Sequence, residues 1–445
     1  MTAERTTWCW LLAGLCMLGC SRSTPSSLSL VVSGDTAGWI TPCGCTANQS
    51  GGLERRASLL KTLGPNENVI YMDAGGSAAG KSEYQQVKLK SILLGDQLMG
   101  LEVHNIGAPE TQLAPDTLFR IGQQANTKWL SANLEPSQSP NSIQSSILSH
   151  RVVVRHGIRI LVTGVVDAGL VKNPLWKVRD ASSSVLAILQ KEKADIIMVL
   201  AYMNETSLRL LAESLPEVDF IVGGPTGQML APSKIGPVEI MSATNKGKFL
   251  ARIELKKSGR VWKSVNRGAI EVASSLPRDP LQSKNLDEYL SALAERDFPA
   301  NETGLAAIQP ANAAQPGYKI AGSHACVPCH KQDGQSWHAS KHTHAWQTLV
   351  EKRSHVDPSC QQCHTTAYGT AGGFAQVSKS TLYVNVGCES CHGPSQSHVL
   401  DPKTKTTYLS REQCIRCHDH ENSPEFDYAK YWAKIEHGRS SGESR

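Results

Sequence analysis

Four Cys-x-x-Cys-His pentapeptides constrain this chain more than any other feature. They are Cys326-Val327-Pro328-Cys329-His330, Cys360-Gln361-Gln362-Cys363-His364, Cys388-Glu389-Ser390-Cys391-His392 and Cys414-Ile415-Arg416-Cys417-His418. The spacing has a physical reason: two thiols three residues apart can form thioethers to the two vinyl groups of one porphyrin, and the following imidazole then lies over the iron as its proximal ligand. One copy would also suit a redox disulfide or half a zinc site. Four copies, each followed by His and together using every Cys after residue 325, point to four covalently attached c-type haems.

The two ligand-forming residue types are segregated. Of 13 Cys, three (Cys9, Cys16, Cys20) lie in the first twenty residues, two form Cys43-Gly44-Cys45, and the rest belong to the motifs; of 15 His, only His104, His150 and His156 precede residue 320. No Met follows Met241, so thioether ligation, which raises haem potential, is excluded from the C-terminal region. Eight further His remain there as second axial ligands: His324, His338, His342, His344, His355, His398, His420 and His437. Mainly bis-His, low-potential haems are therefore expected. The pattern over 335–350 predicts one helix with His338 and His342 on a common face. Apolar runs are few after residue 317, so this region needs its cofactors to make a core.

The N-terminus reads as an export signal. Arg5 precedes the apolar stretch Trp8–Leu18, too short to anchor in a bilayer, and the stretch ends in Met17-Leu18-Gly19-Cys20. The ending resembles a bacterial lipobox, which would place a lipid on Cys20; Met17 departs from the usual Leu, and the alternative is an ordinary signal peptide. The predicted division is thus 1–20 signal peptide of lipoprotein type and 21–27 tether, with the mature chain in the periplasm or cell envelope and held to the membrane by the lipid. A net charge of +5 without a Lys/Arg run gives no sign of a nucleic-acid partner.

Residues 28–268 alternate short apolar runs (28–32, 69–72, 158–166, 196–201, 220–222) with helical patterns (53–63, 82–101, 206–215), which predicts a layered α/β domain. Residues 269–316 read as a linker with a short helix over 287–296, and 317–445 as a mostly helical, haem-packed domain. Cys43 and Cys45 are candidates for a redox or metal site, the alternative being a structural disulfide; a Cys-x-Cys disulfide is strained and hence reducible.

Several segments beyond the pentapeptides carry a resemblance. Gly322 to Leu349, with Trp337, Ser340, His342 and Ala345, resembles the opening of the tetrahaem cytochrome c-554 family. Val386 to Pro394 with His398 is similar to its third haem segment, and Phe426 with Tyr431 to Gly438 to its C-terminal segment. The resemblance implies closely stacked haems and distal ligation by His342, His398 and His437. It leaves the fourth distal position open to His324, His344 or His355, or five-coordinate.

The α/β domain resembles metallophosphoesterases of the 5′-nucleotidase type at its strand-end landmarks: Gly34-Asp35-Thr36-Ala37-Gly38, Asp73-Ala74-Gly75-Gly76, Asn105 to Glu110, and Gly223 to Gly227. That fold holds two metals that activate a water. Asp35 remains, but Ala37, Gly76, Ala108, Pro109, Tyr202, Pro225 and Gly227 stand where metal ligands belong, and Asp73 suits a turn. The resemblance therefore implies a degenerate, non-hydrolytic domain. The expected function is an electron carrier between redox partner proteins of the periplasm or membrane, with the α/β domain for docking. The alternatives are a reductase of a small nitrogen oxyanion at a five-coordinate haem, and a 5′-nucleotidase-like hydrolase.

Overall fold

The computed structural model describes residues 27–42, 49–138, 146–242, 244, 246–259, 261–307, 319–406 and 410–438. Cys20, Cys43 and Cys45 lie outside them.

Two sheets face each other in the N-terminal half. The first runs in the order Val261–Glu271, Phe249–Ser258, Ser27–Ser33, Val69–Asp73, Leu101–Asn105, Trp129–Leu130, Ile147–Leu148. The second runs Ser233–Ile235, Val238–Ser242, Phe220–Gly224, Ile196–Tyr202, Ile158–Val166, His150–Arg155. The central strands pair in parallel and are buried on both faces, as such strands are when both sides of the sheet are covered. Leu28, Leu30 and Val32 point into the core between the sheets, against Ile160, Val162 and Met198. The intervening Val31 faces the other way, onto Leu60 of the Leu53–Thr62 helix. On the far side, Val185, Leu208 and Leu211 of two helices cover Leu161, Val199 and Ile221. Each such side chain contributes roughly 1.5–3 kcal/mol when fully buried. Asn105 links the layers by donating its amide to Ala74 O at 3.0 Å and Val165 O at 3.1 Å.

The expected strands and helices of this half are present with small shifts in their ends. The helix expected over 82–101 spans Glu83–Leu98, started by Ser82 in a reciprocal capping box with Gln85; Leu101 already begins a strand.

Two expectations fail in extent. The short helix expected over 287–296 is the Pro280–Arg296 helix, whose N-terminus is set by the Asp279 carboxylate, which accepts from the Leu281 and Gln282 amides, and by Pro280 in the first turn. Nor is its surrounding span, 269–316, a linker where it is described. Tyr289, Leu290, Leu293 and Phe298 pack with Tyr84 and Ile92, and Ala300 packs with Tyr368 and Phe374 of the C-terminal region. Polar composition hid this, because the apolar contacts come singly.

The C-terminal region is built of short helices and turns. Among the described residues beyond 319, the buried apolar side chains besides Pro358 are Ile320, Ala321, Leu349, Ala367, Tyr368 and Phe374. The continuous helix expected over 335–350 is broken: Lys331–Ala339 ends at Ser340 in an extended conformation, and a 3₁₀ turn, Lys341–His344, leads into Ala345–Glu351. The Ser340 and Thr343 hydroxyls both donate to Trp337 O, competing with helical bonding. The two halves meet along a seam that includes the Ala300 amide donating to Ala375 O at 2.7 Å and Lys248 pairing with Glu421 at 3.0 Å.

Candidate metal centres

Each pentapeptide is bent into a helical turn. The amides of His330, His392 and His418 donate to the carbonyls of Cys326, Cys388 and Cys414 at 3.0, 3.0 and 2.8 Å, and the second motif lies in the Pro358–His364 helix. One turn puts residues i, i+3 and i+4 on a common side, so both thiols and the imidazole face one ligand. No disulfide joins these eight cysteines.

Three of the motif histidines face a second imidazole. Ring centroids of His330 and His398 are 6.0 Å apart, of His342 and His418 6.2 Å, and of His392 and His437 6.0 Å. Two imidazoles bound on opposite sides of one metal, each at about 2 Å from nitrogen, hold their centroids roughly this far apart. The break at Ser340 is what lets His342 reach His418, while His338 remains exposed beside Trp337. Burial pushes His342, His364, His392 and His418 down from the ordinary histidine range. That favours the neutral imidazole, the form that ligates a metal.

His364 is oriented by its Nδ1, 2.6 Å from Ala345 O, which fixes the ring. The other candidates lie elsewhere: His324 is exposed near Glu389, His344 is exposed at the start of the Ala345–Glu351 helix, and His355 packs edge-on against Trp346 at 5.8 Å.

Two features around the motifs escaped sequence reasoning. The Cys326 and Cys388 thiols are close neighbours, so the first and third motifs are side by side. Between them Glu389, 1% exposed, accepts from the amides of Ala321 (2.9 Å), Gly322 (2.7 Å) and Ser395 (2.8 Å). A Glu within a Cys-x-x-Cys gives no signal in sequence, and its role is visible only in space. Phe426 stacks on His418 at 5.0 Å, with Tyr431 edge-on at 5.5 Å.

At the strand ends of the α/β half, protein groups fill the space between the landmarks. A Cβ on Gly76 would lie 2.5 Å from Tyr202 Cε2, and one on Gly107 2.8 Å from the same ring. The buried Glu110 carboxylate accepts from Gly76 N (3.0 Å), Ala78 N (2.8 Å) and Gly107 N (2.9 Å), satisfying amides that open toward the cleft. Asp35 accepts from Thr244 Oγ1 at 2.9 Å. Asp73 is the expected turn residue, its Oδ1 taking the Gly75 amide at 2.7 Å. Burial and the nearby Asp35, Glu110 and Asp73 raise Tyr202 well above the usual phenol range, so it stays a neutral filler. His104 lies behind these ends, with Nε2 3.5 Å from Asp73 Oδ1.

Residues 325–393 match the profile of the family described as cytochrome c554 and c-prime. A cytochrome c-554 of Nitrosomonas europaea is 29% identical over 135 residues, a match covering 22% of this chain and 57% of that protein. The chain thus spans little more than half the length of this curated relative. Among solved structures, a 5′-nucleotidase precursor from Thermus thermophilus superposes with a TM-score of 0.53 at 18% identity, over 70% of this chain and 68% of that one. A calcineurin-like phosphoesterase from Bacillus subtilis gives 0.50 at 17% identity, over 60% and 97%. The NAD nucleotidase of Haemophilus influenzae gives 0.53 at 14%, over 67% and 64%. At such identities the likeness is one of fold.

Proposed function

We propose, from a C-terminal segment of the cytochrome c554 type joined to a phosphoesterase fold, that this chain is an exported electron carrier with four covalently bound haems. The observation that carries the reading is the set of three facing imidazole pairs, each joining a motif histidine to one from elsewhere in the chain. The thiols of the four motifs would hold the porphyrins; His330, His364, His392 and His418 would be proximal ligands, with His398, His437 and His342 distal to His330, His392 and His418. Haem bound in this way supplies a reversible one-electron centre. The chain's own part is to fix the imidazoles, to favour by burial the neutral form of His342, His364, His392 and His418, and to set the first and third motifs side by side. Redox proteins of the periplasm or membrane are the partners this predicts.

The test is a pyridine haemochrome assay with optical spectra in both oxidation states, with and without carbon monoxide. Four haems per chain are expected, and a spectrum without covalent haem ends the proposal. A carbon monoxide shift in part of the signal would mark an open iron and favour catalysis there.

The α/β half is read as non-hydrolytic because the Tyr202 ring occupies the volume that a side chain at position 76 would need. Purified protein with added manganese is expected to leave nucleotides and model phosphate esters intact; metal-dependent turnover would overturn this. Export by a lipoprotein signal is also proposed, on the sequence around Cys20. Among the described residues no helix is long and apolar enough to cross a membrane. Cys20→Ala is expected to release the protein from the membrane fraction, and unchanged fractionation would refute lipid attachment.

A further inference from the structure

One carboxylate is buried in the seam between the halves. Asp357, 8% exposed, takes the Tyr84 hydroxyl at 2.6 Å on Oδ1 and the Tyr289 hydroxyl at 2.9 Å on Oδ2. Tyr84 comes from the Glu83–Leu98 helix and Tyr289 from the Pro280–Arg296 helix, so both donors belong to the N-terminal side of the seam. Asp357 is also the N-cap of the Pro358–His364 helix, its Oδ1 accepting from the Ser359 amide at 2.9 Å. That helix carries Cys360, Cys363 and His364. Nearby, Lys88 donates to Ser359 Oγ at 2.8 Å, Gln362 donates to Ala306 O, and Val356 packs against the Tyr84–Tyr289–Phe298 cluster. The helix of the second motif is thus tied to the N-terminal side of the seam as well as to its own region.

We infer that the α/β half is the positioning platform of the second haem: Asp357, clamped by Tyr84 and Tyr289, fixes the helix that holds this haem and sets its reduction potential. The inference rests on the four-haem reading above and replaces a loose docking role for the α/β half with a structural one. Burial, and then the neighbouring Asp357, raise both tyrosines well above the usual phenol range, so they remain donors. The physical cause of the potential effect is charge. A carboxylate in a low-dielectric seam favours the more positive, oxidised form of a nearby iron, and hydroxyl dipoles aimed at it weaken that field.

The experiment is a spectroelectrochemical titration of the full-length, haem-loaded protein, with haem counted first. Asp357→Asn can keep the cap while removing the charge. It should retain four haems and raise one of the four midpoints, leaving three in place. The double variant Tyr84→Phe with Tyr289→Phe keeps carboxylate and cap but removes the screening hydroxyls; the same midpoint should fall. If Asp357→Asn does not accumulate, the double variant carries the test. Four unchanged midpoints in the variants, or all four moving together, would overturn the positioning role. A wild-type protein with fewer than four haems would instead overturn the four-haem reading.

Discussion

Replacing Cys388 and Cys391 together by serine is expected to remove at least a quarter of the covalent haem and to loosen the whole C-terminal region. The effect should be large because that region has little else to hold it. Among the described residues beyond 319, the large buried aromatics are Tyr368 and Phe374 alone. The third motif is also a junction: Cys388 lies beside Cys326, and the neighbouring Glu389 holds the backbone at Ala321, Gly322 and Ser395. Loss of the haem there removes apolar filling from two motifs at once, in a region too poor in core to compensate. Intact-mass measurement reads the haem number, and limited proteolysis should show cleavage concentrated after residue 319. An unchanged haem mass would place attachment elsewhere.

Arg56→Ala is expected to cost about 3–5 kcal/mol, because it leaves a buried carboxylate uncompensated. Arg56 and Asp96 are both fully buried, 3.5 Å apart, with Arg56 also donating to Tyr71 Oη (3.3 Å) and Thr36 Oγ1 (3.1 Å), and Tyr71 donating to Asp96 at 2.8 Å. Urea unfolding followed in the far ultraviolet measures the loss, and a change below about 1 kcal/mol would mean the network relaxes around the gap. The pH dependence has a definite sign. Burial, opposed by Arg56 and reinforced by Asp73, pushes the Asp96 carboxyl from 3.8 up to about 6. A carboxyl raised on folding binds its proton more tightly in the folded state. Its stabilising contribution is therefore complete below about pH 4 and is lost as pH rises through about 6. Without Arg56 the carboxyl is pushed higher still, so in the variant the decline should extend to higher pH.

Much of this architecture is legible in the sequence where one local rule decides it. The strand Ser27–Ser33 is readable as a short apolar run bounded by Gly34, and the Glu83–Leu98 helix as a periodic pattern. The motifs announce themselves because covalent chemistry fixes their spacing. Other features depend on contacts between distant segments. The resemblance implies His342, His398 and His437 as ligands, but only the fold places their rings beside those of His418, His330 and His392, from which each is separated by tens of residues. The break at Ser340 turns on two hydroxyls finding Trp337 O, a local competition that apolar periodicity does not register. The Asp279-Pro280 start of the Pro280–Arg296 helix is the opposite case: a cap signal is present, but the polar residues after it mask the helix.

The place of Ser27–Ser33 in the first sheet has a consequence for the order in which the chain can fold. This strand is parallel to Val69–Asp73 on one side and antiparallel to Phe249–Ser258 on the other, with Ser27 opposite Lys256. A chain emerging from its N-terminus can form the first pairing early, but the second must wait for Phe249–Ser258, which begins more than two hundred residues after Ser33. Such distant closure makes nucleation slow. Every Cys-x-x-Cys-His motif lies beyond that closing point, so the sheet can be complete before Cys326 emerges. Tyr84 and Tyr289 are then already in place when Asp357 arrives, and the late-made segment condenses onto a finished surface.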